Sequence, residues 1–273
     1  MKALLPVLLR DLKAGCFRLS PGHNSNHRWY GHYKERELTR ILDQPFSPKL
    51  PSGYGRWLDE RIVEYPWMLS RLPKHVLTLL DAGSTLNRRL ILDRPELRDK
   101  DITVMTLSPE HDCFWRYGVS YVFGDLRRTY FRDATFDAIV CLSVLEHIGF
   151  NNSRYDPTTQ IEPQCADAYL TVVTEFRRLL KPGGVCLISV PYGKHQRRDW
   201  LQVFDQGMVS SIVECFASAK SQVIYFLYSE ADGWQSSTSD KASGASYFDL
   251  NSDAPWLGCP AGAGALACLE LRK

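Results

Sequence analysis

One stretch of this chain restricts its fold more than any other. Phe136–Leu142 (FDAIVCL) is a nearly unbroken apolar run that passes directly into the polar turn Ser143-Val144-Leu145-Glu146-His147-Ile148-Gly149. A strand that is apolar on both sides belongs inside a parallel sheet covered on both faces. Just upstream, Tyr121–Phe123 reads as a second strand, followed by the acidic loop Gly124-Asp125-Leu126. Open parallel sheets bind ligands beyond the carboxyl ends of their strands, where the strand order reverses. Asp125, Ser143, Glu146 and His147 stand at that edge, which is where the functional site is expected.

The rest of the chain supplies the sheet. Further strands are expected at Val76–Leu80, Ile102–Leu107, Val185–Val190, Gln222–Tyr228 and Ala265–Leu271, with helices over Ala166–Leu180 and from an Asp205 N-cap to about Ala217. Residues 229–263, rich in Ser, Gly, Ala and Asp, read as a long irregular connection. This alternation predicts a doubly wound α/β domain over residues 74–273.

Residues 1–73 form a helical and loop segment that caps the domain. A short helix is expected to about Lys13, helical charge pairing over Lys34–Gln44 and a proline-rich linker over Pro45–Gly55. From Tyr54 to Leu72, the side chains Trp57, Ile62, Tyr65, Met68, Leu69 and Leu72 recur at near-helical spacing. Pro66 predicts a kink or two short helices there. The segment is either a helix packed on the sheet or a lid whose aromatics, Trp57 foremost, line a substrate pocket. His23 and His27 lie in a polar loop with no carboxylate or thiol to complete a metal site, so no metal is expected.

Charge excludes some partners. The formal net charge is only +2, whereas nucleic-acid binding usually announces itself as a strongly basic domain. Residues 1–75 hold thirteen Lys/Arg against seven Asp/Glu, and the remainder twenty against twenty-four. This asymmetry reads as a solvated basic surface or weak attraction for an anion. The eight cysteines form no CxxC pair, and Cys141, Cys186 and Cys268 fall in expected strands, as buried thiols do. A reducing, cytoplasmic setting follows. No apolar stretch is long enough to span a bilayer, and Arg10, Asp11 and Lys13 interrupt the apolar start at Ala3–Leu9.

Four segments in order carry a family resemblance: LLDAGSTLN at 79–87, GDL at 124–126, FDAIVCLSVLEHIG at 136–149 and LLKPGGVCLISVPYG at 179–193. Together they resemble the class I S-adenosylmethionine-dependent methyltransferases. The resemblance implies a Rossmann-like, seven-stranded, mostly parallel sheet whose last strand, Ala265–Leu271, inserts antiparallel between Val185–Val190 and Gln222–Tyr228. It further implies S-adenosylmethionine as cofactor. Its amino-acid part would lie against Asp81, Gly83 and Ser84, its adenine beside Asp125 and Leu126, and its centre against Ser143. Two departures stand out. Only the first of the family's loop glycines survives in Asp81-Ala82-Gly83-Ser84-Thr85-Leu86-Asn87, and no acid ends the strand Ile102–Leu107, where Thr106 or Leu107 stands instead. Glu110 reaching back, a hydroxyl or a water would then hold the ribose.

Methyl transfer is an in-line displacement assisted by alignment and exclusion of water, and a hydroxyl acceptor also needs a base. His147 is the first candidate base, its alternative role being to brace the loop. His195 and Asp199 are further candidates, and Tyr192 and Trp200 are candidate walls for an apolar or sugar-type acceptor. A weaker resemblance, in residues 59–67 and 191–205, is to methyltransferase-like proteins of polysaccharide and natural-product biosynthesis. The expected activity is O-methylation of a small-molecule or glycosidic acceptor, and a homodimer is compatible with the chain. The lost glycines also suit a non-catalytic binding or scaffold protein that keeps the fold. A nicotinamide-dependent oxidoreductase is disfavoured because no Gly-x-Gly-x-x-Gly follows the first strand.

Overall fold

The computed structural model describes residues 4–19, 27–155, 164–249 and 262–273. Part of the His23/His27 loop and of the 229–263 connection lies outside the described residues. Helices α1 (Leu4–Leu19), α2 (Tyr30–Leu42) and α3 (Arg61–Arg71) precede the sheet. There follow β1 (Thr78–Ala82), the single-turn α4 (Arg89–Leu92), β2 (Asp101–Thr106), β3 (Ser120–Phe123), β4 (Phe136–Leu142), α5 (Ala168–Leu179) and β5 (Leu180–Pro191). The two-residue strands β6 (Gln196–Arg197) and β7 (Gln202–Val203) form a hairpin. The chain continues through α6 (Gln206–Phe216), β8 (Lys220–Ser229), β9 (Gly233–Ser237), α7 (Ser239–Ala242), β10 (Tyr247–Phe248), β11 (Gly262–Ala263) and β12 (Ala265–Arg272).

The main sheet runs in the order β3-β2-β1-β4-β5-β12-β8-β9. β1 to β5 are parallel, and β12 lies antiparallel between β5 and β8, pairing Cys268 with Ser189 on one side and Ile224 on the other. Strand order reverses between β1 and β4, which opens a crevice at their carboxyl ends. Side-chain alternation divides the core. Ala138, Val140 and Leu142 of β4 join the cluster that holds α1–α3, whereas Ile139 and Cys141 join the one that holds α5 and α6. Cys141, Cys186 and Cys268 are buried free thiols.

Two expectations need correction. The sheet has an eighth strand, because β9 lies within the stretch read as irregular and pairs antiparallel with β8. Its Trp234 is fully buried and donates Nε1–H to the Leu58 carbonyl at 2.9 Å. The 48–54 linker covers its outer edge: Gly53 N–H donates to the Asp232 carbonyl at 2.7 Å, and Ser236 Oγ bonds the Pro48 carbonyl. An edge so covered does not template further pairing.

The second correction concerns Pro66, which sits inside α3 without breaking it. Proline removes the N–H that would reach the carbonyl four residues earlier, that of Ile62. The Tyr54 hydroxyl donates to that carbonyl at 3.0 Å instead. α3 therefore runs on and buries Ile62 through Leu69 against the sheet.

Candidate active site

A cavity of about 740 Å³ opens at the carboxyl ends of β1, β2 and β4, within the range of small-molecule sites. At one end it is bounded by Met105, Leu107, Asp125 and Leu126, and in the middle by Gly83, Thr85, Ser143 and Val144. At the other end stand Glu60, Arg61, Glu146, His147, Trp200 and Tyr247.

The loop after β1 folds around a buried carboxylate. Asp81 accepts Thr85 N–H at 3.0 Å, Thr85 Oγ1–H at 3.2 Å and Leu86 N–H at 2.8 Å. Burial pushes its carboxyl up to about 7, with the Leu86 and Thr85 donors working against that rise. Gly83 has φ +103, and a Cβ there would lie 2.3 Å from Val144 Cγ2. Only glycine permits this approach of the β1 loop to the turn after β4. Ser84 takes φ 63, a left-handed conformation that favours glycine, and its buried Oγ has no partner among the described residues. Gly83 lines the cavity; Asp81 and Ser84 stand behind it as supports of the loop.

Glu110 lines the cavity and accepts Asn87 Nδ2–H at 3.1 Å. Asn87 also accepts the Tyr121 hydroxyl at 2.7 Å, which ties the β1 loop to β3. Asp125 caps its own turn, accepting Arg127 N–H at 2.7 Å and pairing with the guanidinium at 2.6 Å. The carboxylates, hydroxyl and apolar flanks along this half fit a ligand that combines an amino-substituted ring, a diol and an amino-acid tail.

At the far end, His147 Nδ1 lies 2.9 Å from the Trp200 carbonyl. That carbonyl can only accept, so Nδ1 carries the proton and Nε2 presents a lone pair, with the Tyr155 hydroxyl 3.4 Å away. Burial pushes the imidazole down to about 4, so it is neutral near pH 7. Glu146 is 3% exposed, and burial pushes its carboxyl well above the usual range. Burial, followed by the charges of Asp59 and Glu64, lifts Glu60 to about 7. Glu60 Oε2 and Glu146 Oε2 are both buried without a partner among the described residues.

Several residues singled out in the sequence lie elsewhere. His195 is exposed on the β6–β7 hairpin, with Nδ1 2.9 Å from the Val203 carbonyl, and Asp199 faces out to bond Asn151 at 2.8 Å. Neither lines the cavity. Tyr192 is 2% exposed and directs its hydroxyl to Gln206 and the Ser239 carbonyl, each at 3.3 Å, on the far side of β5. Trp57 packs edge-on against Phe17 of α1, away from the cavity. Trp200 does line the cavity, but its ring is already occupied. His147 stacks on it at 5.0 Å, and the Arg154 guanidinium lies 4.1 Å from a ring centroid. Sequence reading missed Glu60, Arg61, Tyr155 and Tyr247. The DER pattern at 59–61 was available, but only the packing of α3 brings it to the sheet edge.

Residues 96–188 match the family model described as a methyltransferase domain. No curated protein matches the chain. Among solved structures, the chain is similar to 1,6-didemethyltoxoflavin-N1-methyltransferase of Burkholderia thailandensis, with 16% identity, covering 100% of this chain and 90% of that one at a TM-score of 0.45. A possible histamine N-methyltransferase from Thermotoga maritima is 11% identical over 77% and 88% of the two chains, TM-score 0.45. The [4+2]-cyclase SpnF is 17% identical over 71% and 73%, TM-score 0.44.

Proposed function

We propose that this chain, which carries a class I S-adenosylmethionine-dependent methyltransferase domain, methylates a hydroxyl oxygen of a small-molecule or glycosidic acceptor. When bound, S-adenosylmethionine supplies the electrophilic methyl group. Asp125 would accept from the adenine amine, with Met105 and Leu126 flanking the ring. Glu110 would hold the ribose, and Gly83 and Thr85 the amino-acid end. The reacting centre then falls beside Ser143 and Val144, next to the carboxyl-rich end of the cavity.

The observation that carries the reading is the pair of buried oxygens, Glu60 Oε2 and Glu146 Oε2, unpartnered among the described residues in the wall of that end. Unpaired buried acceptors are costly, and a ligand bearing several hydroxyl donors satisfies them. As the C–O bond forms, the hydroxyl proton passes to a group that is a good base near neutrality. Glu60, at about 7, meets that requirement better than His147, at about 4. The free thiols of the described cysteines support a reducing cytoplasmic setting.

The test is transfer of a labelled methyl group to a panel of polyols, glycosides and amines, with Asp125→Ala as the cofactor-site control. Label on hydroxyl oxygen, reduced at least ten-fold by the substitution, is the expected result. Label confined to amines would overturn the O-methylation reading. Wild-type protein that binds neither S-adenosylmethionine nor S-adenosylhomocysteine in calorimetry would favour the scaffold reading, which the lost glycines of residues 81–87 support.

A further inference from the structure

Behind the cavity wall lies a buried polar cluster centred on Glu64, a carboxylate that neither the cofactor nor the acceptor reading uses. Glu64 of α3 is fully buried. Its Oε1 accepts the hydroxyls of Ser143 and Ser189, each at 2.6 Å, and its Oε2 accepts Arg61 Nη1–H at 2.6 Å. The same Arg61 nitrogen donates to the Leu142 carbonyl at 2.9 Å, and Ser143 N–H donates to the Ser189 carbonyl at 3.0 Å. One carboxylate from the N-terminal segment thus gathers the ends of β4 and β5.

Ser143 is the residue that needs holding. Its φ is 48, a left-handed conformation that a side chain disfavours. The next residue, Val144, is the one against which Gly83 packs. The path of the chain at 143–144 therefore sets the width of the cavity's middle, where both residues are exposed to a ligand. Without a partner for its hydroxyl, Ser143 is held left-handed only by its N–H, which donates to the Ser189 carbonyl at 3.0 Å.

We propose that Glu64 is a positioning residue: through Ser143 it holds the turn after β4 in the shape that receives the cofactor. α3 then belongs to the cofactor site although Glu64 touches no ligand. The proposal rests on the cofactor reading given under Proposed function.

The test is S-adenosylhomocysteine affinity by calorimetry for wild type, Glu64→Gln, Glu64→Ala, Ser143→Gly and the double variant Glu64→Ala/Ser143→Gly, with thermal unfolding followed in parallel. Glutamine keeps the volume and one acceptor oxygen, so it guards against a variant that fails to fold. Glu64→Ala should weaken binding at least ten-fold and Glu64→Gln by a smaller factor. Glycine adopts the left-handed conformation without steric cost, so the double variant should recover to within about three-fold of wild type while its melting temperature stays low. A merely structural role for Glu64 would let affinity follow stability, with no recovery from glycine, and that result overturns the proposal. Unchanged affinity in folded Glu64→Ala also overturns it. Wild-type protein without affinity defeats the cofactor reading and this proposal together, an outcome distinct from the other two.

Discussion

Glu60 and His147 show how burial rearranges chemistry at a single residue. From residue types alone, an imidazole is the natural base near neutrality. Here burial drives His147 down to about 4, while burial and neighbouring carboxylates lift Glu60 from its ordinary 4.5 to about 7. The folded state thus holds the Glu60 proton more tightly than the unfolded chain does. Its cost to stability is absent below pH 4.5, grows as pH rises to about 7 and is complete above that. Glu60→Gln removes this cost, so its gain in melting temperature over wild type should be larger at pH 8 than at pH 5. Activity should run the opposite way. If Glu60 takes the acceptor proton, the wild-type methyl-transfer rate rises with pH through an apparent pKa near 7. Glu60→Gln should flatten and lower that limb, and His147→Asn should leave its midpoint in place. A midpoint that moves with His147 would return the base role to the imidazole.

Among the elements, α3 and β9 separate what periodicity reveals from what it hides. The recurrence of Ile62, Tyr65, Met68 and Leu69 predicted an apolar helical face, and that face is buried. The expected break at Pro66 did not occur, because the Tyr54 hydroxyl supplies the donor that proline lacks. Tyr54→Phe should cost about 1 kcal/mol, as expected for loss of a hydrogen bond that leaves a carbonyl unsatisfied. In a Pro66→Ala background the helix provides its own N–H, so the same substitution should cost close to nothing. Denaturant unfolding of the four proteins measures this coupling. β9 went unread because its sequence, GWQSS, lacks the apolar alternation of a strand. It is held by pairing to β8, by the burial of Trp234 and by the linker along its edge, all contacts with distant parts of the chain.

At the scale of the whole molecule, residues 1–73 and the sheet share one apolar cluster, in which Phe17, Tyr33, Ile62 and Trp67 join Leu79, Val140 and Leu187. Removing residues 1–73 would expose one face of the sheet and take away Glu60, Arg61 and Glu64 together. The fragment 74–273 is therefore expected to lose cooperative thermal unfolding and all S-adenosylhomocysteine binding; a fragment that melts cooperatively and binds like the full chain would show the segment to be dispensable. The sequence by itself determined the parallel strands, the inserted antiparallel strand and the edge at which the site lies. The parallel strands and their edge follow from local apolar patterning, and the antiparallel insertion is what the family resemblance of motifs contiguous in the chain implies. Asp125, Ser143, Glu146 and His147 were legible at that edge, and tertiary structure decided which other side chains join them. It withdrew His195, Asp199, Tyr192 and Trp57 from the cavity and supplied Glu60, Arg61 and Tyr247. It also set the proton affinities of Glu60, Glu146 and His147. The physical reason is that burial and hydrogen-bond partnership are properties of three-dimensional neighbours, and residues as far apart in sequence as Glu64 and Ser189 become neighbours only when the chain has folded.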